Sequence, residues 1–344
     1  MTRVEKLLTV VIVSYEGAHL LPACLDALDR QTLSPDRYEI WVVDNGSSDG
    51  TASLLAGRYP TVRRLDARRN LGFAGGNNLA LREVATPFVV LLNNDAVADA
   101  DFLRAMVDAM TSPGWEQVGA ATAQILLLGR FDRIADGELV PDPHGDVVVL
   151  NSTGNEVRSD GFGQDRDWFV DVRCHRPTTE VFGFCGAAAT LRTEALRDVG
   201  VFDDDYFLYY EDTDLSWRLR LANWEIRYVD RAIVHHVHAA SSREGSAFFR
   251  FYDDRNRLLT LVKNAPAALA LRAVLRYPLS LASIAARGRE QPSLTFVRLR
   301  VLASFLRLLP RMLSRRRHFS RKDRRRVAAL LVEPPAIPTR AYRT

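Results

Sequence analysis

The sequence predicts an α/β fold, a doubly wound mixed sheet with helices on both faces, followed by a helical, basic C-terminal extension. Three observations carry that expectation. Continuous apolar runs at residues 8–13, 40–43 and 88–92 have the character of strands buried on both faces of a sheet. Segments with helical spacing lie between them, giving an alternating β-α order. The composition then changes: residues 287–344 hold 16 Lys+Arg against 3 Asp+Glu, a charge of +13, whereas the first 286 residues carry −9.

Residues 8–13 form the first strand. Leu20, Leu21, Cys24, Leu25 and Leu28 recur at helical spacing, residues 40–43 are the second strand, and residues 47–59 read as the second helix. Residues 88–92 follow Pro87 as another strand. Residues 130–180, rich in Gly, Asp and Pro, read as an excursion of loops and hairpins, and residues 182–189 return to a buried, close-packed segment. Glu211-Asp212 stand ahead of a short helix with Leu215, Leu219 and Ala222 on one face, and residues 233–238 form an apolar strand ending in a histidine cluster. Near the C-terminus Leu302, Leu306, Leu309 and Leu313 share a face, with Arg300, Arg307 and Arg311 opposite. The expected division is residues 1–258, with halves at about 1–125 and 126–258, and a membrane-associating helical region at 259–344.

With 344 residues, 47% of them hydrophobic and 26% charged, the chain buries a large core, which excludes disordered, collagenous and disulfide-scaffold classes. Cys24, Cys174 and Cys185 have no CxxC spacing, so a reducing, cytoplasmic compartment is expected. The first apolar run is too short for a signal peptide, and Lys263, Arg272, Arg276 and Arg287 interrupt the most apolar region, so no membrane span is expected. The basic region is drawn to anionic surfaces or is merely a solvated face. A basic amphipathic helix followed by Arg315-Arg316-Arg317 and Arg324-Arg325-Arg326 suits the inner face of a membrane. Nucleic acid is not the expected partner, because between Arg315 and Arg326 only His318 and Phe319 offer stacking surfaces.

In such sheets ligands sit beyond the carboxyl ends of strands. The polar clusters there are Ser14-Tyr15-Glu16, Asp44-Asn45-Gly46-Ser47 and Asn93-Asn94-Asp95. Each alone could cap a helix, but jointly they mark a site. Residues 69–78 are Gly- and Asn-rich, as a phosphate or sugar loop requires, yet Ala74 breaks GxGxxG and no Walker A loop is present. If the substrate is nucleotide-activated, its diphosphate leaving group needs a divalent cation held by oxygen ligands. Asp95 is the candidate, with His236 or His238 as a second ligand. A hydroxyl nucleophile needs a carboxylate base, for which Asp212 beside Glu211 is the candidate; the alternative is that both acids simply favour a helix N-terminus.

Residues 10–15, 42–51, 70–77, 91–95 and 207–218 together resemble the family 2 glycosyltransferases of GT-A fold, in the rhamnosyltransferase-like branch, over roughly residues 8–260. The resemblance implies inverting transfer from a nucleoside diphosphate sugar, such as dTDP-rhamnose or a UDP-sugar, to a glycan or polyprenyl-linked acceptor. It places Ser14, Tyr15 and Glu16 at the base and ribose, Asp44 on the uracil or thymine ring, and Asn45 and Ser47 nearby. It places Asn70, Gly72, Gly76, Asn77 and Asn78 over the sugar diphosphate. Asn93-Asn94-Asp95 matches the family's Asp-x-Asp metal motif, with Asn93 in place of the first aspartate and Asp95 as ligand to Mg²⁺ or Mn²⁺. Asp212 matches the catalytic base of the Glu-Asp motif, His236 the metal-binding histidine, and Arg255 a residue that steadies the diphosphate or braces the last helix. Two other readings compete: a catalytically silent nucleotide-sugar or glycan binding module, and a sugar nucleotidyltransferase. The second would need a basic Gly-rich loop after the first strand, which Ser14 to Ala18 do not provide.

Overall fold

The structure, a computed structural model, describes residues 5–133, 138–176, 178–237, 245–287 and 292–334. The N-terminal part runs β1 (Leu8–Ser14), α1 (Leu21–Asp29), β2 (Tyr38–Asp44), α2 (Thr51–Arg58), β3 (Arg63–Asp66), α3 (Gly72–Leu81), β4 (Phe88–Leu92), β5 (Ala96–Ala98) and α4 (Phe102–Met110). Next come β6 (Val118–Leu127), β7 (Phe131–Arg133), β8 (Leu139–Pro141), β9 (Leu150–Ser152), β10 (Asn155–Val157), β11 (Gly163–Asp165), β12 (Ala188–Arg192) and α5 (Thr193–Val199). The chain continues with α6 (Glu211–Leu221), β13 (Glu225–His236), α7 (Ala247–Asn264), α8 (Ala267–Ala286), α9 (Pro292–Arg315) and α10 (Arg321–Ala328).

The main sheet has the order β3-β2-β1-β4-β12-β6-β13-β5, with β9 added to β6. β1 pairs parallel with β2 and β4, whereas β12 runs antiparallel to both β4 and β6, so the sheet is mixed as expected. One apolar layer, including Ile12, Leu25, Val90 and Phe102, packs on one face; Val11, Val43, Leu91, Leu215 and Leu219 fill the other. Both faces of the central strands are therefore buried, which is why their runs are continuously apolar.

Three details depart from the sequence expectations. The second helix begins at Thr51 rather than residue 47, because Gly46 and Gly50 adopt left-handed φ values of 81° and 89° and Asp49 caps the Thr51 N–H and Oγ. The Gly-rich segment is the helix α3 rather than an open loop. The boundary expected at 258 falls inside α7, which shares one apolar cluster with α8, α9 and the β10–β12 region through Leu258, Leu261, Tyr277, Phe305, Val157 and Phe182.

The C-terminal helices also revise the helical-face reading. Val297, Val301, Phe305, Leu308 and Met312 are the buried side of α9, while Leu306 and Leu313 of the expected face are exposed and Leu302 and Leu309 lie at its edge. The terminal arginine runs are largely committed to protein. Arg315 pairs with Asp203 (2.7 Å) and Asp205 (2.8 Å), Arg316 donates to the Val262 carbonyl, and Arg324 and Arg326 donate to the carbonyls of Ser320 and Arg220. By length and composition residues Ala267–Ile284 of α8 could cross a membrane, which the sequence reading had not expected.

Candidate active site

β1 and β2 end in register, Ser14 beside Asp44, which brings their following loops to one edge of the sheet. Asp44 Oδ1 accepts from the Ser47 N–H at 2.9 Å, and its second oxygen has no hydrogen-bond partner among the described residues. Glu16 Oε1 accepts from Ser48 N–H and Oγ, both at 3.0 Å, and the Glu16 N–H donates to Ser47 Oγ at 3.1 Å. Asn94 Nδ2 donates to the buried Ser14 Oγ at 3.2 Å, and a Cβ at Gly17 would collide with both groups. Tyr15 stands exposed at the rim.

The neighbouring asparagines are spent on the scaffold. Asn45 Nδ2 donates to Asn70 Oδ1 and the Gly72 carbonyl, both at 3.1 Å, while Asn45 Oδ1 accepts from the Leu71 N–H at 3.0 Å. Asn77 donates to the Phe73 carbonyl, and Asn78 to the Phe202 carbonyl and Asp204. Gly76 lets α3 close onto β1, where a Cβ would press on Val13 Cγ1 at 2.6 Å. Asn77, Asn78 and Gly76 thus bury and fasten α3. Gly72, at φ 72°, abuts the Phe207 carbonyl, and only Gly fits there.

A second cluster forms where β4 and β13 end. Asp95 Oδ1 lies 3.2 Å from His236 Nε2, and both residues are buried. Asn151 Oδ1 is 2.7 Å from His236 Nδ1, a contact that requires the proton on Nδ1 and turns the lone pair of the neutral ring, at Nε2, toward Asp95. A carboxylate oxygen and a ring lone pair repel unless a proton or cation lies between them, and Asp95 Oδ1 has no hydrogen-bond partner among the described residues. In that tautomer the Asn93 Nδ2 amide, 3.2 Å from Nε2, donates to the same lone pair. Asp95 Oδ1 and His236 Nε2 could hold a divalent cation, whose remaining positions would have to come from outside this pair, because among the described residues no third His, Cys, Asp or Glu joins them. His238 lies outside the described residues.

The third cluster surrounds the start of α6. Glu211 and Asp212 are its first two residues rather than preceding it. Asp212 Oδ2 accepts from Asn155 Nδ2 (2.9 Å) and the Gly186 N–H (3.1 Å), and Oδ1 accepts from the Thr213 N–H (2.6 Å). Thr213 Oγ1 donates to Oδ1 as well, at 3.3 Å, and burial raises the Asp212 pKa above the usual carboxylate range against the opposing pull of these four donors. Burial, with Asp212 and Asp214 nearby, pushes Glu211 well above its ordinary value, and its Oε2 has no hydrogen-bond partner among the described residues. Burial likewise raises the Cys185 thiol, which stays protonated and unreactive.

Two short segments join this cluster to the Asp95 cluster. Gly186 donates to Asp212 while Ala187, one residue on, accepts from the Asn93 N–H at 2.9 Å. Asn151 meets His236 and Asn155 meets Asp212. Asn151 and Asn155 were absent from the sequence reading; the polar run Asn151-Ser152-Thr153-Gly154-Asn155 was the signal available.

Before α6 the chain is strained. Phe207, Tyr209 and Tyr210 have φ values of 68°, 68° and 65°, which bulky side chains avoid. The buried Asn256 Nδ2 donates to the carbonyls of Tyr206, Leu208 and Tyr209 at 2.7–3.0 Å, and Arg255 Nη2 to those of Asp205 and Tyr206 at 2.8 and 2.9 Å. Of the two roles open to Arg255, bracing is the one its contacts describe. Asn256 is the centre of that brace.

A mixed sheet whose parallel half ends in one ligand edge, with acids from β4 and α6 brought together, is the GT-A architecture of glycosyltransferases. Mannosyltransferase PcManGT from Pyrobaculum calidifontis, solved with GDP-Man and Mn²⁺, aligns with a TM-score of 0.52 and 19% identity over 94% of this chain and 86% of that one. GalNAc-T7, solved with UDP, GalNAc and Mn²⁺, aligns with a TM-score of 0.55 and 13% identity over 74% of this chain and 48% of that one.

The chain belongs to glycosyl transferase family 2, whose profile matches residues 9–200; that of glycosyl transferase family group 2 matches residues 144–259. Within the family it is rhamnosyltransferase-like. It is 29% identical to the N-acetylglucosaminyl-diphospho-decaprenol L-rhamnosyltransferase of Mycobacterium tuberculosis over 252 residues, covering 69% of this chain and 78% of the relative. It is 23% identical to the O-antigen chain rhamnosyltransferase RfbN of Salmonella typhimurium over 251 residues, covering 72% and 70%.

Proposed function

We propose that the protein transfers a sugar, with inversion, from a nucleoside diphosphate sugar such as dTDP-rhamnose or a UDP-sugar to a hydroxyl of a glycan or polyprenyl-linked acceptor at the cytoplasmic face of the plasma membrane. The observation that carries this reading is the placement of Asp212, a carboxylate with four hydrogen-bond donors, one residue-pair away from the Asp95–His236 cluster. The named relatives, one of which is a decaprenol-linked rhamnosyltransferase, support donor and acceptor class.

In this reading Asp44 takes an N–H of the base on its second oxygen, Ser47 and Glu16 hold the ribose edge, and Tyr15 covers the base from the rim. Asn45 and Asn70 keep that edge in shape. The acceptor hydroxyl attacks the anomeric carbon as the bond from that carbon to the diphosphate oxygen breaks, and its proton passes to an oxygen of Asp212. The raised pKa makes Asp212 a stronger base than an ordinary aspartate. Burial and the neighbouring acids push the Glu211 carboxyl well above its ordinary value, which disfavours a second negative charge beside Asp212. Asn93, Asn94, Asp95 and His236 lie on the diphosphate side; bound Mg²⁺ or Mn²⁺ there supplies positive charge to the leaving group.

The test is thermal stabilisation of the purified protein by nucleoside diphosphates and their sugars, with and without Mn²⁺ or Mg²⁺. The expected result is a metal-dependent rise with dTDP or UDP that disappears in Asp95→Ala. No stabilisation by any nucleotide would remove the reading.

A further inference from the structure

Large apolar side chains are unevenly exposed. Of the twelve most exposed ones among the described residues, seven lie on two adjacent helices: Leu271, Leu275 and Leu279 on α8, and Phe296, Leu299, Leu306 and Leu313 on α9, at 48–70% exposure. On each helix these residues share one side by helical spacing, and monomeric soluble proteins rarely leave extended apolar stripes bare. It is not a failed core, because each helix already has a buried side. Leu269, Ala273, Tyr277 and Leu281 of α8, and Val301, Phe305, Leu308 and Met312 of α9, are buried. Each helix therefore has two apolar stripes, one for the protein and one left over.

The charges beside the leftover stripe are all of one sign. Four outward leucines are each followed by an exposed arginine: Leu271-Arg272, Leu275-Arg276, Leu299-Arg300 and Leu306-Arg307. Between residues 265 and 332 the acidic residues are Glu290 and Asp323 alone. A second copy of the chain laid on this face would bring arginine rows together with no carboxylates to answer them, a repulsive arrangement. An anionic lipid surface answers both features: leucines enter the acyl boundary while arginine stems reach back to the phosphates.

We infer that the outward face of α8 and α9, rather than the terminal arginine runs, docks the protein on an anionic bilayer, with both helices lying in the interface. One face of α8 is fixed to the protein, where the Tyr277 hydroxyl donates to Asp254 of α7 at 3.2 Å, and this suits an in-plane helix rather than a spanning one. The terminal runs cannot serve as freely, since Arg315, Arg316, Arg324 and Arg326 are engaged with Asp203, Asp205 and backbone carbonyls. The inference adds a surface to the reading of a lipid-held acceptor, but its observations are separate from the active site. It is tested without donor or acceptor, so either can fail alone.

The experiment is co-sedimentation of the full chain with phosphatidylcholine vesicles containing about one quarter phosphatidylglycerol. The variant Leu275→Ser with Leu279→Ser keeps charge unchanged and should lower binding at least about tenfold; a second pair, Leu299→Ser with Leu306→Ser, should do the same. Arg272→Gln with Arg276→Gln should lower it about fivefold per arginine at low salt. Arg317→Gln with Arg325→Gln, in the terminal runs, should have a much smaller effect. The inference is overturned if the wild-type chain does not sediment with these vesicles. It is equally overturned if only the Arg317/Arg325 variant loses binding, or if the chain is a dimer that the leucine variants split, in which case a second copy covers the face.

Discussion

Asp212 and Asp214 stand two residues apart on α6 and so face opposite sides of it, and the two sides are built from different chemistry. On one side Asp212 meets only neutral donors, from Asn155, Gly186 and Thr213, and burial leaves its pKa raised. On the protein side burial also pushes Asp214 up, but Lys263 at 2.9 Å and Arg218 at 2.9 Å outweigh it and bring its carboxyl down to about 2. Lys263 also holds Asp203 at 2.8 Å, and Arg315 closes the network from α9. Opposite pKa displacements on neighbouring carboxylates suit the proposed division between a base, Asp212, and an anchor, Asp214. The hydrogen bonds around Asp212 orient it without neutralising it; the ion pairs around Asp214 do the reverse.

Three substitutions can break or sharpen that contrast. Asp212→Asn should lower the rate of sugar transfer by about 10³-fold, within the range for a general base. Stability at neutral pH should be unchanged or higher, since a carboxyl whose folded pKa is raised loses stability as it ionises. A denaturant melt beside the rate assay checks both halves. Lys263→Met should cost about 3 kcal/mol of stability, with the rate per folded molecule largely kept, because each buried acid retains one arginine. The sign of its pH dependence follows from Asp214: a depressed folded pKa gives stability that is present above the unfolded value near 4 and lost as pH falls toward about 2. The stability gap between wild type and Lys263→Met should accordingly narrow in acid. Asn155→Ala should have the smallest effect, about tenfold in rate. Removing a donor to the charged form raises the Asp212 pKa further, so the acid limb of the kcat/KM profile should move to higher pH.

Much of the fold was legible because the central strands are buried on both faces and have no alternation to disguise them; β1, β2 and β4 were readable from residues 8–13, 40–43 and 88–92. The acids and the histidine were legible because strand ends and a helix start carry them. Two kinds of information were not local. Gly72 to Asn78 looked like a loop because Gly and Asn are poor helix formers, yet small residues let α3 press against β1 and the 207–210 turn, and packing overrode propensity. Asn151 and Asn155 reach partners 85 and 57 residues away from a stretch of short hairpins, and nothing in their immediate sequence names those partners. On α9, two apolar stripes at helical spacing are equivalent until the rest of the chain chooses one to bury.

The strained turn links the two sides of α6. Asn256 and Arg255, on the helix that also carries Lys263, hold the carbonyls of residues 205–209 while Lys263 grips Asp214, so α7 fixes both the approach to Asp212 and the anchor behind it. The C-terminal helices are thereby part of the catalytic body's support, which the sequence reading, dividing the chain at 258, had kept apart.

The most direct test of a single displacement served by Asp212 is the anomeric configuration of the product, read from its NMR couplings after transfer from the nucleoside diphosphate sugar that stabilises the protein. Inversion relative to the donor is the predicted result. Retention, whether through a glycosyl-enzyme intermediate or by front-face attack beside the departing diphosphate, would contradict the back-side displacement assigned to Asp212.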